Sequence, residues 1–218
     1  NPRKQILSTG SLSVPNPYNP DKPTVFRDWK AHGYVDLREA IAVSSNVYFF
    51  EVGGGFGDQK GLGISNIEKY MRMFGFGEKT GIESYGEKAG VIPNPAWKKS
   101  LFGKEEEWRL GDTYNTSIGQ YGVQVTPLQA VRAIGAIANN GKLLYPTLIK
   151  PNTSYESLST PVPLAESDFQ IVREGMRMTV TQGTAKSLNF PFVKVAAKTG
   201  TAELGPTKSL VNSWTVGF

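Results

Sequence analysis

This sequence predicts an α+β fold in which helices pack against an antiparallel sheet. Three observations carry that expectation. Four stretches with helical spacing precede residue 181, two strand-like runs follow it, and a turn short enough for a hairpin joins the two runs. Residues 1–34 are rich in Pro, Asn, Ser and Gly, as in Val14-Pro-Asn-Pro-Tyr-Asn-Pro20, and are expected to be extended loop. Helical spacing begins after Asp36, whose carboxylate suits a helix cap. Leu37, Ala40, Ile41, Ser44, Val47 and Tyr48 then follow at intervals of three and four, and Gly53-Gly54-Gly55 ends the helix.

A second helix is expected from Ser65, which with Glu68 has the spacing of a capping box. Ile67, Tyr70, Met71 and Phe74 form its apolar stripe, and Gly75 stops it. From Gly75 to Tyr114 the sequence reads as loop. The third helix has the clearest start: Thr126 as cap, Pro127 at the first helical position and Gln129 completing a box. Leu128, Val131, Ile134, Ile137 and Ala138 are its expected buried face, and Gly141 closes it. Leu143–Lys150 reads as a short strand interrupted by Pro146. A fourth helix is expected from Ser167, with Gln170 three residues on, to about Thr181. Phe192–Ala197 and Val211–Phe218 complete the chain as strands joined by a turn around Gly205-Pro206. There is no internal repeat, and residues 1–218 read as one domain.

Composition narrows the chemistry. The 218 residues carry 24 Lys+Arg against 19 Asp+Glu, a net charge of +5, with one His and no Cys. Without Cys there is no disulfide framework, thiolate nucleophile or Cys-ligated metal. One His leaves a His-rich metal site without ligands, and a Ser-His-Asp triad would have to use His32. The neighbours of His32 read as loop and supply no triad partner, so it is read as a structural or surface residue. Basic residues alternate with acids, as in Lys104-Glu-Glu-Glu-Trp-Arg109, so the surface is mixed and no nucleic-acid partner is expected. Glu105-Glu-Glu107 reads as solvated acids, Tyr48-Phe-Phe50 as core, and Gly53-Gly-Gly55 as a helix stop without P-loop residues. No cofactor and no metal are expected.

Two short patterns remain: Ser44-Ser-Asn46 in the first helix, and Lys198-Thr-Gly200 at the end of a strand. Each recurs, at Ser187-Leu-Asn189 and Lys79-Thr-Gly81, so context has to choose between copies. An active-serine acyl transferase without His needs a Lys to handle the serine proton, hydroxyl and amide groups to relay protons and hold substrate, and N–H groups for the oxyanion. A strand such as Val193–Ala197 can lay its backbone along an extended peptide, and Gly200, lacking Cβ, lets a ligand approach. Lys79-Thr-Gly81 follows a helix stop and reads as a surface turn, and Ser187-Leu-Asn189 as loop. Ser44 and Asn46 open an apolar run, where polar groups are either hydrogen-bonded within the core or part of a site.

The order Ser44-x-Asn46 then Lys198-Thr-Gly200 resembles the second and third motifs of penicillin-binding proteins and serine β-lactamases. Arg27-Asp-Trp-Lys30 with His32-Gly33, Phe74-Gly-Phe-Gly77 with Thr80-Gly-Ile82, Gly111-Asp-Thr113, Ser117-Ile-Gly-Gln120, Thr126-Pro-Leu-Gln129 and Ala197–Ala202 extend the likeness. It is greatest to the transpeptidase domain of elongation-type class B penicillin-binding proteins, penicillin-binding protein 2, and covers essentially the whole chain. The resemblance implies that Ser44 relays protons and that Asn46 bonds a catalytic Lys and the substrate amide. It also implies that Lys198 shapes the electrostatics of Ser44 and attracts substrate. Thr199 and Thr201 would bind the terminal carboxylate of a D-alanyl-D-alanine stem peptide or of a β-lactam, with the Thr201 N–H as half of the oxyanion hole. A cell-elongation glycosyltransferase partner and a position on the outer face of the cytoplasmic membrane, through an anchor outside this chain, are implied as well.

One family motif is missing. No Ser in the sequence has Lys three residues on, and Thr147-Leu-Ile-Lys150 has that spacing only in a strand-like run after Pro146. The chain also opens on Asn1 without Met and stops at Phe218 inside a strand-like run. It is therefore expected to be a partial transpeptidase domain, lacking the Ser-x-x-Lys nucleophile motif and the final strand and helix, and inactive alone. The alternatives are a non-catalytic β-lactam sensor or peptidoglycan-binding scaffold, and a serine β-lactamase.

Overall fold

The structure, a computed structural model, describes residues 1–82, 86–150, 152, 158–205 and 210–218. Among the described residues there are seven α-helices and four two-stranded antiparallel pairs, so the α+β expectation holds. Residues 1–34 are not the loop expected of them. They contain β1 (Ile6–Ser8), β2 (Ser11–Val14), β3 (Thr24–Arg27) and the start of β4 (Gly33–Val35). β1 pairs with β4, with Ile6 opposite Val35, and β2 pairs with β3, with Leu12 opposite Phe26. The Pro-rich stretch is only the connection from β2 to β3, where a missing N–H leaves no ladder bond unmade.

α1 (Leu37–Val43) starts as expected: Asp36 accepts from the Glu39 N–H at 3.0 Å, and Glu39 accepts in return from the Asp36 N–H at 2.9 Å. The helix does not run on to the glycines. Ser44 turns left-handed at φ 57° and ψ 49°, and Ser45 caps a second helix, α2 (Asn46–Gly54). α3 (Ile64–Met73) begins one residue before the expected Ser65 box, behind Gly63 at φ 74°. Glu68 is engaged by Arg72 and Asn94 instead. The expected loop from Gly75 to Tyr114 holds α4 (Pro95–Phe102), capped by Asn94, and α5 (Leu110–Ser117).

α6 (Pro127–Ala138) has the predicted cap and box, and Ile134 and Ile137 of the expected face pack against the Ile41–Met176 cluster, but the most buried positions lie beside that stripe. Val131 is 65% exposed, while Gln129, Ala130, Arg132, Ala133 and Ala136 face inward. The Gln129 amide accounts for this, donating to the carbonyls of Glu78 and Ala89 at 2.6 and 2.9 Å. β5 (Lys142–Leu144) pairs with β6 (Ser159–Pro161), and the strand expected up to Lys150 ends at Leu144. α7 (Glu166–Thr181) is capped by Asp168 accepting from the Ala165 N–H at 3.2 Å, not by the Ser167–Gln170 spacing.

β7 (Ala197–Leu204) pairs with β8 (Leu210–Gly217), with Lys198 opposite Val216 and Thr201 opposite Ser213. The first strand is thus displaced along the chain: Phe192–Ala196 precede it, and Lys198-Thr-Gly200 opens it. Of the turn between them, Gly205 is described at φ 72°, and Pro206 lies outside the described residues.

α1 packs along α7, and this pair supports the region around Ser44 and Lys198. Ile41, Met176 and Ala196 fill the space between them, and Val180, Ala185 and Ala197 form the floor beneath β7. Gly183 permits the closest approach. A Cβ there would sit 1.9 Å from the Ala42 carbonyl oxygen. On the other side of α2, Phe26 meets Tyr114 and Phe50 edge-on at 4.9 and 5.8 Å, over Leu12. Full burial of side chains of this size stabilises by about 1.5–3 kcal/mol each.

Candidate active site

The break between α1 and α2 builds one half of the site. A left-handed residue reverses the chain so that Ser44 leaves the helix axis, while the Ser44 N–H still bonds the Ile41 carbonyl at 3.3 Å. Serine lacks glycine's freedom at φ 57°, so neighbours must hold it there. Trp29 Nε1 donates to both the Val43 and Ser44 carbonyls at 3.2 Å, and the Asn46 amide donates to the Arg27 carbonyl at 3.3 Å.

The other half is β7. Lys198 Nζ donates to Ser44 Oγ at 2.7 Å and to the Thr199 carbonyl at 2.6 Å, so residues 154 positions apart share one hydrogen bond. Burial destabilises the ammonium and lowers its pKa from 10.5 to about 8. A lysine that gives up its proton this readily, bonded to a serine hydroxyl, is equipped to move protons near neutral pH.

The free edge of β7 is polar. In an antiparallel ladder the N–H and C=O of one residue point to the same side. The Thr201 carbonyl accepts from Gln120 Nε2 at 3.4 Å and the Thr199 carbonyl accepts from Lys198, so both residues turn their backbone away from β8. The Thr201 N–H therefore faces outward. Side chains alternate along the strand, which puts the Thr199 and Thr201 hydroxyls on one side. Thr201 and Gly200 are exposed. A Cβ on Gly200 would meet only Trp214 Cβ, at 3.6 Å, so no close protein neighbour requires glycine there and the strand surface stays open.

Ser44, Lys198 and Thr199 are thus brought into direct contact, with Gly200 and Thr201 continuing the same edge. Asn46 stands two residues along the turn, its amide engaged by Arg27. Two groups that the sequence reading did not name as site residues also reach the site. Gln120 holds β7 as described, and Thr184 places Oγ1 2.6 Å from Thr199 Oγ1. Thr184 follows the end of α7, where its N–H bonds the Ala42 carbonyl at 3.1 Å. The only signal for it in the sequence is the small residue Gly183 just before it.

The second copies of the motifs lie elsewhere. Lys79 is exposed, but Thr80 is not the surface turn expected: it is 2% exposed, and its N–H and hydroxyl donate to Glu87 Oε1 at 2.7 and 2.5 Å. Asn189 accepts from Arg177 at 3.2 Å, next to a single turn of 3-10 helix. His32 is interior: its imidazole is 1% exposed, with Nε2 3.6 Å from Asp28 Oδ1, and burial lowers its pKa. Among the described residues, no three His, Asp or Glu side chains group as metal ligands.

The family described as the penicillin binding protein transpeptidase domain matches residues 5–218. The chain belongs to the penicillin-binding protein transpeptidase family. A peptidoglycan D,D-transpeptidase MrdA from Acinetobacter baumannii is 33% identical over 189 residues, 82% of this chain and 27% of the relative. The MrdA of Haemophilus influenzae is 34% identical over 219 residues, 93% of this chain and 31% of the relative. The chain therefore spans less than a third of the length of these curated relatives. Among solved structures, penicillin-binding protein 2 of Helicobacter pylori in complex with MreC has a TM-score of 0.84 at 31% identity, covering 100% of this chain and 39% of that one. Penicillin-binding protein 2 of Pseudomonas aeruginosa in complex with WCK 5153 has a TM-score of 0.81 at 27% identity, covering 100% and 48%. The relatives are of the MrdA type of class B penicillin-binding proteins.

Proposed function

We propose that the full-length protein containing this chain is a peptidoglycan D,D-transpeptidase of the cell-elongation type, acylated both by stem peptides and by β-lactams. The observation that carries the reading is the Lys198 Nζ–Ser44 Oγ hydrogen bond at 2.7 Å, beside an open strand edge rich in hydroxyls. The nucleophile is a serine of a Ser-x-x-Lys motif, which these 218 residues do not include. Its Oγ attacks the carbonyl of the penultimate D-alanine, the C–N bond breaks, and D-alanine leaves with the proton taken from the serine. An amine of a neighbouring strand then attacks the ester, and the serine regains its proton. A β-lactam forms the same ester by ring opening, and its leaving nitrogen stays tethered.

In this reading Ser44 relays the proton to the leaving nitrogen and Lys198 holds Ser44 and attracts the substrate carboxylate. Asn46 bonds the catalytic Lys and the substrate amide. Thr199 and Thr201 bind the carboxylate, Gly200 leaves room for the peptide backbone, and the Thr201 N–H stabilises the oxyanion. One such donor is worth about 3–4 kcal/mol in a transition state. Thr184, bonded to Thr199, joins the carboxylate side. Likeness to the MrdA-type relatives supports a place of action on the outer face of the cytoplasmic membrane; no described helix here is long and apolar enough to cross a membrane. Likeness to penicillin-binding protein 2 in complex with MreC, and to a peptidoglycan synthase complex that coordinates polymerization and crosslinking, supports an MreC-like protein and a glycosyltransferase as partners.

The test uses the full-length protein and labelled penicillin. Lys198→Ala is expected to abolish acylation and Lys79→Ala to leave it near normal. The reverse result would transfer the site to the other Lys-Thr-Gly and overturn the reading.

A further inference from the structure

The left-handed Ser44 turn is held from one direction. Residues 27–29 touch each of residues 43–47 in succession: Trp29 takes the carbonyls of Val43 and Ser44, Asp28 takes the Ser45 hydroxyl and the Val47 N–H, and the Arg27 carbonyl takes the Asn46 amide. The centre of this clamp is the Asp28 carboxylate, whose side chain is 0% exposed. Oδ2 accepts from Ser45 Oγ at 2.9 Å, Val47 N at 3.0 Å and Ser8 Oγ at 3.2 Å, while Oδ1 accepts from Trp29 N at 2.8 Å. His32 Nε2, 3.6 Å from Oδ1, makes no hydrogen bond.

Four donors converging on one buried carboxylate leave it few alternative positions, because each bond is charge-assisted and an unmade one costs desolvation. Asp28 also occupies the N-terminus of α2, where its charge meets the positive end of the helix. Ser45, the cap of α2, and Ser8 of β1 both donate to this carboxylate, so Asp28 ties β1 to the start of α2. The residue between α1 and this cap is Ser44, the one that meets Lys198. A shift of the α2 start moves Ser44 Oγ with it.

We propose that Asp28 is a positioning residue for the reaction: through Ser45 and Val47 it fixes the Ser44 turn, and so aims Ser44 Oγ at Lys198. The inference rests on the transpeptidase reading above and adds to it a control point on the strand side of the turn.

Asp28→Asn keeps the shape of the side chain but removes the charge and gives one atom two hydrogens, so its amide nitrogen must face donors. In the full-length protein the expected result is a loss of tenfold or more in the rate of the penicillin acylation step, with the dissociation constant of the preceding complex changed less than threefold. Ser45→Ala, which removes one of the four donors and folds with less disruption, is expected to show the same split at several-fold. Leu143→Ala, in the separate cluster of Ala136, Val162 and Phe169, serves as a destabilised control and should lower the melting temperature without changing the acylation step.

A second readout does not depend on activity: NMR titration of Lys198 Nζ in wild type and Asp28→Asn. Loss of a nearby negative charge alone would lower the Lys198 midpoint, whereas a loosened turn admits water and raises it, by a unit or more. A rise, with the kinetic split, supports the inference. A fall or no change, acylation at the wild-type rate, or losses that track the melting temperature equally in all three variants would overturn it. Wild-type protein that does not react with penicillin, yet shows the Lys198 rise in Asp28→Asn, would overturn the transpeptidase reading and leave the positioning of Ser44 by Asp28 standing.

Discussion

Replacing Lys198 by Met tests how the site holds its cation. Burial moves the Lys198 pKa from 10.5 in the unfolded chain to about 8 in the folded one. Between those values the unfolded state binds more protons than the folded state, so stability rises with pH across that window. Below it both states are protonated and the penalty of burying the ammonium is fully present. Each pKa unit corresponds to about 1.4 kcal/mol, so between pH 7 and 9.5 the wild type should gain about 2 kcal/mol on the variant. Other titrating groups are common to both proteins and cancel in the difference. Urea unfolding of wild type and Lys198→Met at the two pH values measures it, through midpoints and slopes. A wild-type-minus-variant difference that stays flat within about 0.5 kcal/mol would mean a solvated lysine and refute the burial argument. A difference that falls with pH would mean an acidic partner where, among the described residues, Lys198 bonds Ser44 and the Thr199 carbonyl.

Other outcomes follow from the same geometry. Thr184→Val removes a hydroxyl 2.6 Å from Thr199 Oγ1, and should weaken complex formation with benzylpenicillin by about fivefold, the worth of one neutral hydrogen bond. Thr184→Ser should restore it, and penicillin methyl ester, lacking the carboxylate charge, should not distinguish the three proteins. Gly183→Ala places a methyl 1.9 Å from the Ala42 oxygen, a backbone atom that cannot swing aside. It should destabilise by about 2–3 kcal/mol in urea unfolding, with a wild-type midpoint contradicting the close approach of α7 to α1.

Legibility in the sequence followed the range of the interactions. The Asp36 and Thr126 caps were readable because each bond lies within three residues of its donor. Ser44 and Lys198 stood out as candidates, since few side chains can serve a serine mechanism without His, and the structure brings the two into one hydrogen bond. The strands in residues 6–35 were hidden because their partners are distant: Ile6 pairs with Val35 across a Pro-rich stretch with no period of its own. α5 was hidden by composition. Leu110-Gly-Asp-Thr-Tyr-Asn-Thr-Ser117 is a poor helix former, held in place by tertiary contacts such as the Tyr114 hydroxyl bonding the Gly55 carbonyl at 2.6 Å. The break at Ser44 was hidden for the same reason: nothing in Ala42-Val-Ser-Ser-Asn46 requires a left-handed serine, and the residues that hold it are Arg27, Asp28 and Trp29. The Ser65–Glu68 spacing misled because Gly63 had already turned the chain and Glu68 found Arg72 and Asn94.

The measurement that tests the central claim most directly is peptide mapping of the full-length protein after reaction with benzylpenicillin. The account predicts one penicilloyl group per chain, on the serine of a Ser-x-x-Lys peptide outside these 218 residues, and none on Ser44. A stoichiometric adduct on Ser44, or no adduct anywhere in the wild-type protein, would contradict it.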